Sequence, residues 1–380
     1  MNKLEKICEI LDNKRVPISQ KDRISGIYPY YGASGIVDYI DKYIFDEELV
    51  LIGEDGAKWD AFENSAFIAS GKYWVNNHAH ILKPNNEILI NKFLVYFLNY
   101  SNLEKYITGA TVKKLNQQKL KQIEIPLPPL KEQERIVGIL DESFAKIDES
   151  IKILEQNLLN LDELMQSALQ KAFNPLKDNA KENYKLPQGW EWKSLGDISN
   201  YGKTSQVKPS QLKGNDWILE LEDIEKESGV LLQKVLFQDR QSKSNKIKFN
   251  KGDILFGTLR PYLKKVIIAN DNGACSSEIM PFSTGNSIAN HFIYYYLFAN
   301  FLHDRISSLT YGARMPRLGT KDGKSLQIPL PPLKEQEQIA KHLDFVFEKT
   351  KALKELYTKE LKDYEELKQS LLNKAFKGEL

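Results

Sequence analysis

The sequence predicts an α+β protein in which two mixed α/β domains are joined by two long antiparallel coiled-coil helices, the whole being an internal duplication with pseudo-two-fold symmetry. Three observations predict it. The decapeptide IPLPPLKEQE fills residues 125–134 and recurs at 328–337. From there the two copies align without a gap to residues 173 and 376, with 24 identities over 49 positions. Each copy then runs into a stripe of apolar residues spaced three and four apart. A period of 203 residues is too long for a solenoid, so each half reads as a domain with a helical appendage.

The expected boundaries follow. Residues 1–124 form the first variable domain, and 125–184 hold the proline-rich motif, the first helix and a linker. Residues 185–327 form the second variable domain, and 328–380 the second motif and helix. In the first domain, LVLIGEDGA (49–57) and AFIAS (66–70) read as strands and residues 93–107 as an amphipathic helix. Pro126, Pro128 and Pro129, like Pro329, Pro331 and Pro332, force an extended segment that closes the preceding domain.

After Leu130, the residues Val137, Leu140, Phe144, Ile147, Ile151, Leu154, Leu158, Leu161, Met165, Ala168 and Ala172 keep a heptad stripe. A helix this long, ~60 Å at ~1.5 Å per residue, needs a long partner. Its own repeat is the obvious one. Leu343, Phe347, Leu353, Tyr357, Leu361, Tyr364, Leu367 and Leu371 supply a less regular stripe, with Lys354 and Lys368 on the strict register. The other packing open to each helix is against its own domain. NPLKDNAKENYK (174–185) is polar and proline-broken, as a linker should be, and LPQGWEW (186–192) opens the next domain. There, residues 251–257 and 264–269 read as strands around the Arg260-Pro261 turn, and 291–306 as a helix. Gly109, Ala110 and Leu115 match Gly312, Ala313 and Leu318 between the halves.

Composition excludes several classes. With 42% hydrophobic and 27% charged residues over 380 positions, the chain is neither disordered, collagen-like nor a disulfide scaffold. No apolar run approaches the ~18 residues of a membrane span, and the charged N-terminus is unlike a signal peptide. Cys8 and Cys275 lie far apart, which fits a reducing cytoplasm. The net charge of +2 hides an uneven distribution: residues 185–327 carry 20 basic against 14 acidic groups, and 125–184 carry 7 against 11. A basic domain is consistent with a nucleic-acid partner.

No catalytic motif survives inspection. GKT (202–204) and GKS (323–325) lack the glycine five positions earlier that a phosphate-binding loop needs; Asp197 and Leu318 stand there. The dinucleotide and adenine-methyltransferase signatures are also missing. His78-x-His80 has no third ligand nearby in sequence, so a structural role is favoured over a metal. The carboxylates Glu220, Glu222 and Asp223, or Asp253 with Glu278, do not by themselves define a nuclease site. The chain alone is expected to need no cofactor or metal and to show no methyltransferase, ATPase or nuclease activity.

The duplicated motif, GDILFGTLRPYLKK (252–265), YGARMPRL (311–318) and YYGASG (30–35) together resemble the DNA-specificity subunit of a type I restriction–modification system. The resemblance covers the whole chain. It implies two target-recognition domains reading the halves of a split, asymmetric DNA site, with the helices as an antiparallel spacer. It also implies methyltransferase subunits, two in number, docked against the helices, and restriction/translocase subunits reached through the complex. The first domain departs from the pattern: it lacks the LPxGW opening present at 186–190, and it has Thr111-Val112-Lys113-Lys114 where the second has Arg314-Met315-Pro316-Arg317.

A protein reading a split site needs two domains at fixed separation, and paired helices fix separation better than a flexible linker. Basic residues beside glycines let the backbone approach a phosphate chain. The candidate DNA contacts are therefore Lys113, Lys114, Arg314 and Arg317 after the paired glycines, and Arg260, Tyr262, Lys264 and Lys265 around the Pro261 turn. In the first domain they are Lys72, Tyr73, Tyr31 and Ser34, together with Trp74, for which a place in the core is the stronger alternative. The spacer interface is expected to use Leu140, Phe144, Ile147, Ile151, Leu154, Leu158 and Leu161 against Leu343, Phe347, Leu361, Tyr364 and Leu371. A coiled-coil scaffold without DNA recognition, and an enzyme fused to its own recognition domains, are the other readings of the residues alone.

Overall fold

The duplicated decapeptide becomes a junction of strand, turn and helix. In the computed structural model, which describes residues 1–109, 111–173, 186–240 and 242–380, Glu124–Ile125 pairs antiparallel with Asn2–Lys3. Gln327–Leu330 pairs likewise with Glu191–Ser194. The linker expected at 174–185 lies outside the described residues. Helix begins immediately after the prolines: the Pro129 carbonyl accepts from the Glu132 and Gln133 amides, and the Pro332 carbonyl from Glu335 and Gln336. Two helices of 44 and 45 residues follow, Leu130–Phe173 and Leu333–Lys377.

The chain divides into two compact units, residues 1–155 with 358–380, and residues 156–357. The first unit holds the first variable domain. One four-stranded antiparallel sheet orders Cys8–Ile10, Ala79–Pro84, Leu49–Gly53 and Ala66–Ala69. A second sheet orders Gly35–Ile40, Ser25–Gly32, Lys72–Val75 and Phe45–Asp46, with Tyr30 and Trp74 paired in parallel. The apolar face of the helix Asn91–Tyr100 (Phe93, Leu94, Phe97, Leu98) closes the core, together with Ile136 and Leu140 of the first long helix and Leu372 and Ala375 of the second. The helix expected over 93–107 ends early, because the Ser101 hydroxyl donates to the Phe97 carbonyl and the chain turns toward Trp59.

The second unit repeats the plan. Val266–Ile268, Ile254–Gly257 and Ile279–Phe282 form one sheet. Gln206–Val207, Lys246–Phe249, Gly273–Cys275 and Trp217–Leu219 form the other, again with one parallel pair, Trp217–Leu219 on Gly273–Cys275. Leu169 and Phe173 of the first long helix and Leu343 of the second enter its core. The helix expected over 291–306 is two helices, Ser287–Tyr296 and Asn300–Leu309. At the break, His303 Nε2 donates to the Leu297 carbonyl at 2.6 Å, a side-chain substitute for a helical bond.

Within each unit the two long helices run antiparallel: Lys368 pairs with Asp148 in the first and Lys354 with Asp162 in the second. Leu140, Ile147, Leu154, Leu161 and Leu343 are buried, and Phe144, Ile151, Leu158, Phe347, Leu361, Tyr364 and Leu371 are half-buried; of these, Leu140, Phe144, Leu343, Phe347 and Leu371 pack into the domain cores, Phe144 on Tyr96 and Phe347 on Tyr295 and Phe298. Leu353 and Leu367 depart from the expected stripe. They are 38% and 44% exposed, and the lysines beside them take the seam register instead. Lysine stems cover apolar surface while the ammonium reaches an aspartate at the rim; Lys368 also lies 5.6 Å from the Phe144 ring.

This packing can be tested at two places. Because the seam-edge aspartates are exposed, their ion pairs are screened and contribute little. Replacing Lys354 and Lys368 with Leu should therefore stabilise the helices by about 1 kcal/mol per site; a lower melting temperature would instead show that the ion pairs outweigh apolar burial at the seam. The other test concerns His303, whose imidazole is pushed down to about 4 by burial. The folded state then binds fewer protons than the unfolded chain between pH 6.5 and 4, so stability falls as pH falls through that window. The loss is about 2 kcal/mol between pH 7 and 5. In His303→Gln, melting curves over that range should lose this component of the pH dependence; an unchanged slope assigns it elsewhere.

Candidate DNA interface

The two glycine loops share one backbone. Gly109 (φ 96°) and Gly312 (φ 93°) both adopt the left-handed conformation. A Cβ on Gly109 would lie 2.1 Å from the Val112 carbonyl oxygen, and on Gly312 3.1 Å from that of Met315. Thr108 and Lys114 exchange backbone hydrogen bonds of 2.9 and 2.8 Å, and Tyr311 pairs with Arg317 in the same manner. Each loop thus closes on its last basic residue. That residue also pairs with the domain's central sheet region, Lys114 with Asp55 and Arg317 with Leu259.

The side chains on this shared frame differ. Lys114 Nζ lies 2.9 Å from Glu54 and 3.9 Å from Asp55, and Asp55 accepts from His78 Nδ1 at 2.5 Å. Glu54 is also held by Arg15. Burial opposes its ionisation, yet the hydrogen bonds from Lys114 and Arg15 outweigh it and hold the carboxyl below the usual range. Lys113 makes an exposed pair with Glu104 at 3.0 Å. Behind the loop, His80 is fully buried with Nδ1 2.6 Å from Asp12 and Nε2 2.6 Å from the Leu115 carbonyl. Burial works against ionisation of Asp12 as well, but hydrogen bonds from His80, Gln117 and the Ile81 amide keep it low. Both ring nitrogens of His80 are occupied in hydrogen bonds, which fits the structural role expected for it.

In the second unit the structure joins two segments that stand apart in sequence. The Arg260 amide donates to the Pro316 carbonyl at 2.7 Å, so the Pro261 turn lies against the 311–317 loop. Arg260 (φ 49°) and Lys264 (φ 47°) bracket the turn in left-handed conformations, a strain of about 1–3 kcal/mol each that the surrounding contacts must offset. Lys264 is one of those contacts. It is buried, its ammonium donates to Asn300, and burial pushes its pKa down. The expectation of a DNA contact is corrected there: Lys264 fastens the turn to the following helix. Lys265 Nζ donates to the Leu221 carbonyl at 2.7 Å. Arg260, Tyr262 and Arg314 are exposed.

A cleft of about 580 Å³ opens beside this junction, with Arg260, Lys265, Arg240, Glu220, Glu222 and Glu278 on its walls. Most of its charges are paired: Lys246 with Glu220 at 2.6 Å, Arg240 with Asp223 at 2.7 Å and with Glu222 at 2.9 Å, and Arg317 with Glu278 at 2.8 Å. The places of Arg240 and Glu278 on this cleft are not legible in the sequence, because their partners come from separate strands and turns.

The remaining first-domain candidates divide. Tyr31 and Ser34 lie on a groove of about 550 Å³ shared with Ile36, Phe67, Lys92 and Tyr96. Tyr31 stacks on Phe67 at 5.7 Å between ring centres. Lys72 is exposed and sits 4.8 Å from the Tyr43 ring. Tyr73 has no exposed surface and packs between Phe45 and Tyr31, so it belongs to the core, which corrects that expectation. Trp74 is buried with its indole donating to the Val16 carbonyl, so of its two readings the core one holds. Among the described residues, no group of three or more His, Cys, Asp or Glu is placed to hold a metal ion. No described helix is long and apolar enough to cross a membrane.

These features can be set against known proteins. The family model described as the type I restriction modification DNA specificity domain matches residues 1–159 and 187–363. A putative type I restriction enzyme specificity subunit from Haemophilus influenzae is 30% identical over 90% of this chain and 86% of its own. The specificity subunit of the type I restriction enzyme EcoDI from Escherichia coli is 26% identical over 93% and 83%. Among solved structures, a chain from work on complex assembly and conformational transition of the type I R-M system superposes with a TM-score of 0.71 at 19% identity, covering 100% of this chain and 97% of that one. The HsdS subunit from Thermoanaerobacter tengcongensis, also 19% identical, gives 0.55 over 100% and 96%. The duplicated domains, the paired helices and the extent of these matches lead to one conclusion: the chain belongs to the type I restriction–modification specificity subunits, the non-catalytic members of their complexes that recognise the DNA target and assemble with the modification and restriction subunits.

Proposed function

We propose that each variable domain reads one half of a split, asymmetric double-stranded target, with the helices Leu130–Phe173 and Leu333–Lys377 as the ruler between the halves. The observation that carries this reading is the common loop frame bearing different charged side chains: one architecture, two chemistries, as two unlike half-sites require. Two methyltransferase subunits dock against the helices, one for each half, and the restriction subunits join through them. The buried free thiols of Cys8 and Cys275 support a cytoplasmic setting.

The phosphate contacts in this reading fall first to Arg260 and Arg314, which are exposed and make no ion pair with a carboxylate among the described residues. Lys113, Lys114 and Arg317 are shared with carboxylates, and Tyr262, Lys265, Lys72, Tyr31 and Ser34 flank them. Replacing Arg260 or Arg314 with Ala in the assembled complex should reduce the slope of log K against log salt by about 0.9. Lys114→Ala should change the slope less, because its charge is already partly neutralised by Glu54. Titrations of a target duplex between low and physiological salt provide the readout. Unchanged slopes for both arginines would move the phosphate-binding face elsewhere.

The ruler is tested by lengthening it. One heptad inserted near Asn157 and one near Glu360 keeps the seam in phase and adds ~10 Å, roughly three base pairs along B-DNA. The methylome of a strain carrying the insertion should show a longer non-specific gap between unchanged half-sites. The added rotation around the duplex shifts the optimum by a base pair or weakens methylation. Retention of the original gap at full methylation would mean that the helices do not set it.

A further inference from the structure

We infer that the Glu278–Arg317 pair is the base-reading element of the second domain and that it selects a G·C base pair. This rests on the DNA-recognition reading above and goes beyond it by naming the residue pair and the base edge.

The pair is fixed on one backbone position. The Thr258 amide donates to the Glu278 carbonyl at 2.8 Å, and its hydroxyl donates to the same oxygen at 3.0 Å. The Thr258 carbonyl accepts from the Leu318 amide at 3.0 Å, immediately after Arg317. The Glu278 amide donates to Ser276 Oγ at 3.1 Å, and Arg317 is held by its pairings with Tyr311 and Leu259. Both side chains therefore start from anchored backbone. Arg317 Nη2 meets Glu278 Oε1 at 2.8 Å, while the two side chains remain 42% and 35% exposed. One carboxylate oxygen and most of the guanidinium donors are left for another partner.

A carboxylate is the wrong group to face a phosphate. Glu278 lines the cleft beside the exposed Arg260, so a phosphate backbone tracking the arginine brings bases, not phosphates, to the carboxylate. Toward a base, an ionised carboxylate only accepts, and the exocyclic amines of cytosine and adenine are the major-groove donors. Only a G·C pair presents two adjacent acceptors, guanine N7 and O6, followed by a donor, cytosine N4. An arginine with a carboxylate at its side presents the complement. An A·T pair places its donor between two acceptors and leaves one of them facing the carboxylate.

The first domain supports assignment of this position to specificity. The Glu54 amide donates to the His78 carbonyl at 2.8 Å, as Thr258 does to Glu278, and the His78 amide is capped by Asn76 as that of Glu278 is by Ser276. The same backbone site beside the last loop cation thus carries His78 with Asp55 in one domain and Glu278 in the other. A side chain with a purely architectural task would not need to change from a ring to a carboxylate on an unchanged frame.

The test uses the complex with its methyltransferase subunits and duplexes in which each base pair of the target is replaced in turn. For the native complex, one G·C pair in a single half-site should be required, in the half-site that also contacts Arg314. Glu278→Gln should cut discrimination at that base pair by about 10- to 150-fold, the value of one hydrogen bond to a charged group, and leave the other half-site and the salt slope unchanged. The double exchange Glu278→Arg with Arg317→Glu restores the ion pair on the same backbone frame but reverses donor and acceptor. It should shift the preferred base pair at that position. Full native discrimination in either variant, or an equal loss of binding to every duplex, overturns the inference and leaves the pair as a loop clamp. A native complex whose two half-sites are intact but contain no required G·C in the half-site of Arg314 overturns it while sparing the split-site reading; a native complex with no split target overturns both.

Discussion

Two buried glutamines, one in each copy of the duplicated motif, hold the junction on which the rest of the structure depends. Gln133 has no exposed surface; its amide donates to the carbonyls of Ile88 and Pro128 and accepts from the Ile90 amide. Gln336 donates likewise to the Pro331 carbonyl, but its own side-chain oxygen is buried without a hydrogen-bond partner among the described residues, so the second joint is held by fewer bonds than the first. Burying a side-chain amide costs several kcal/mol unless its hydrogen bonds are made, so the geometry that satisfies Gln133 is strongly selected. That geometry fixes where the extended proline segment ends, where the long helix starts, and how the first domain's helix Asn91–Tyr100 is entered. Repetition of the motif thus repeats a joint.

From that joint the long helices carry two kinds of information. The buried leucines and isoleucines make the seam cohesive, while Lys354 and Lys368, each opposite an aspartate, define which residues face each other. Apolar knobs alone tolerate a slip of one heptad; a charged group at a seam position does not, because the slip strands it against an apolar partner. Stability and register are thus assigned to different residues of the same interface.

The recognition domains follow the same division of labour. A frame of paired strands, a left-handed glycine and a loop closed on its last basic residue is common to both. Neutralising partners then differ, with Glu54 and Asp55, the latter bonded to His78, in one and Glu278 in the other. Lys264 shows why a basic residue on such a loop is not automatically a contact: desolvated and bonded to Asn300, it stabilises a turn whose flanking residues are strained. Charge reaches the surface where the frame leaves it free, as at Arg260 and Arg314.

By itself the sequence determined the duplication, the family and the two long helices. Those are written in local and periodic signals: an identical decapeptide, heptad spacing and proline punctuation need no knowledge of distant contacts. It also identified the basic loop residues, because paired glycines mark both copies. Only the tertiary structure decided which of those residues face outward. Tyr73 and Lys264 look like surface residues in sequence, but strand pairing buries the first against Phe45 and a neighbouring helix buries the second. The partners of the loop cations were equally illegible, since Glu54 lies 60 positions before Lys114 and Glu278 lies 39 before Arg317. Such pairs are made by the register between strands, and register is set by the whole sheet rather than by any segment read alone.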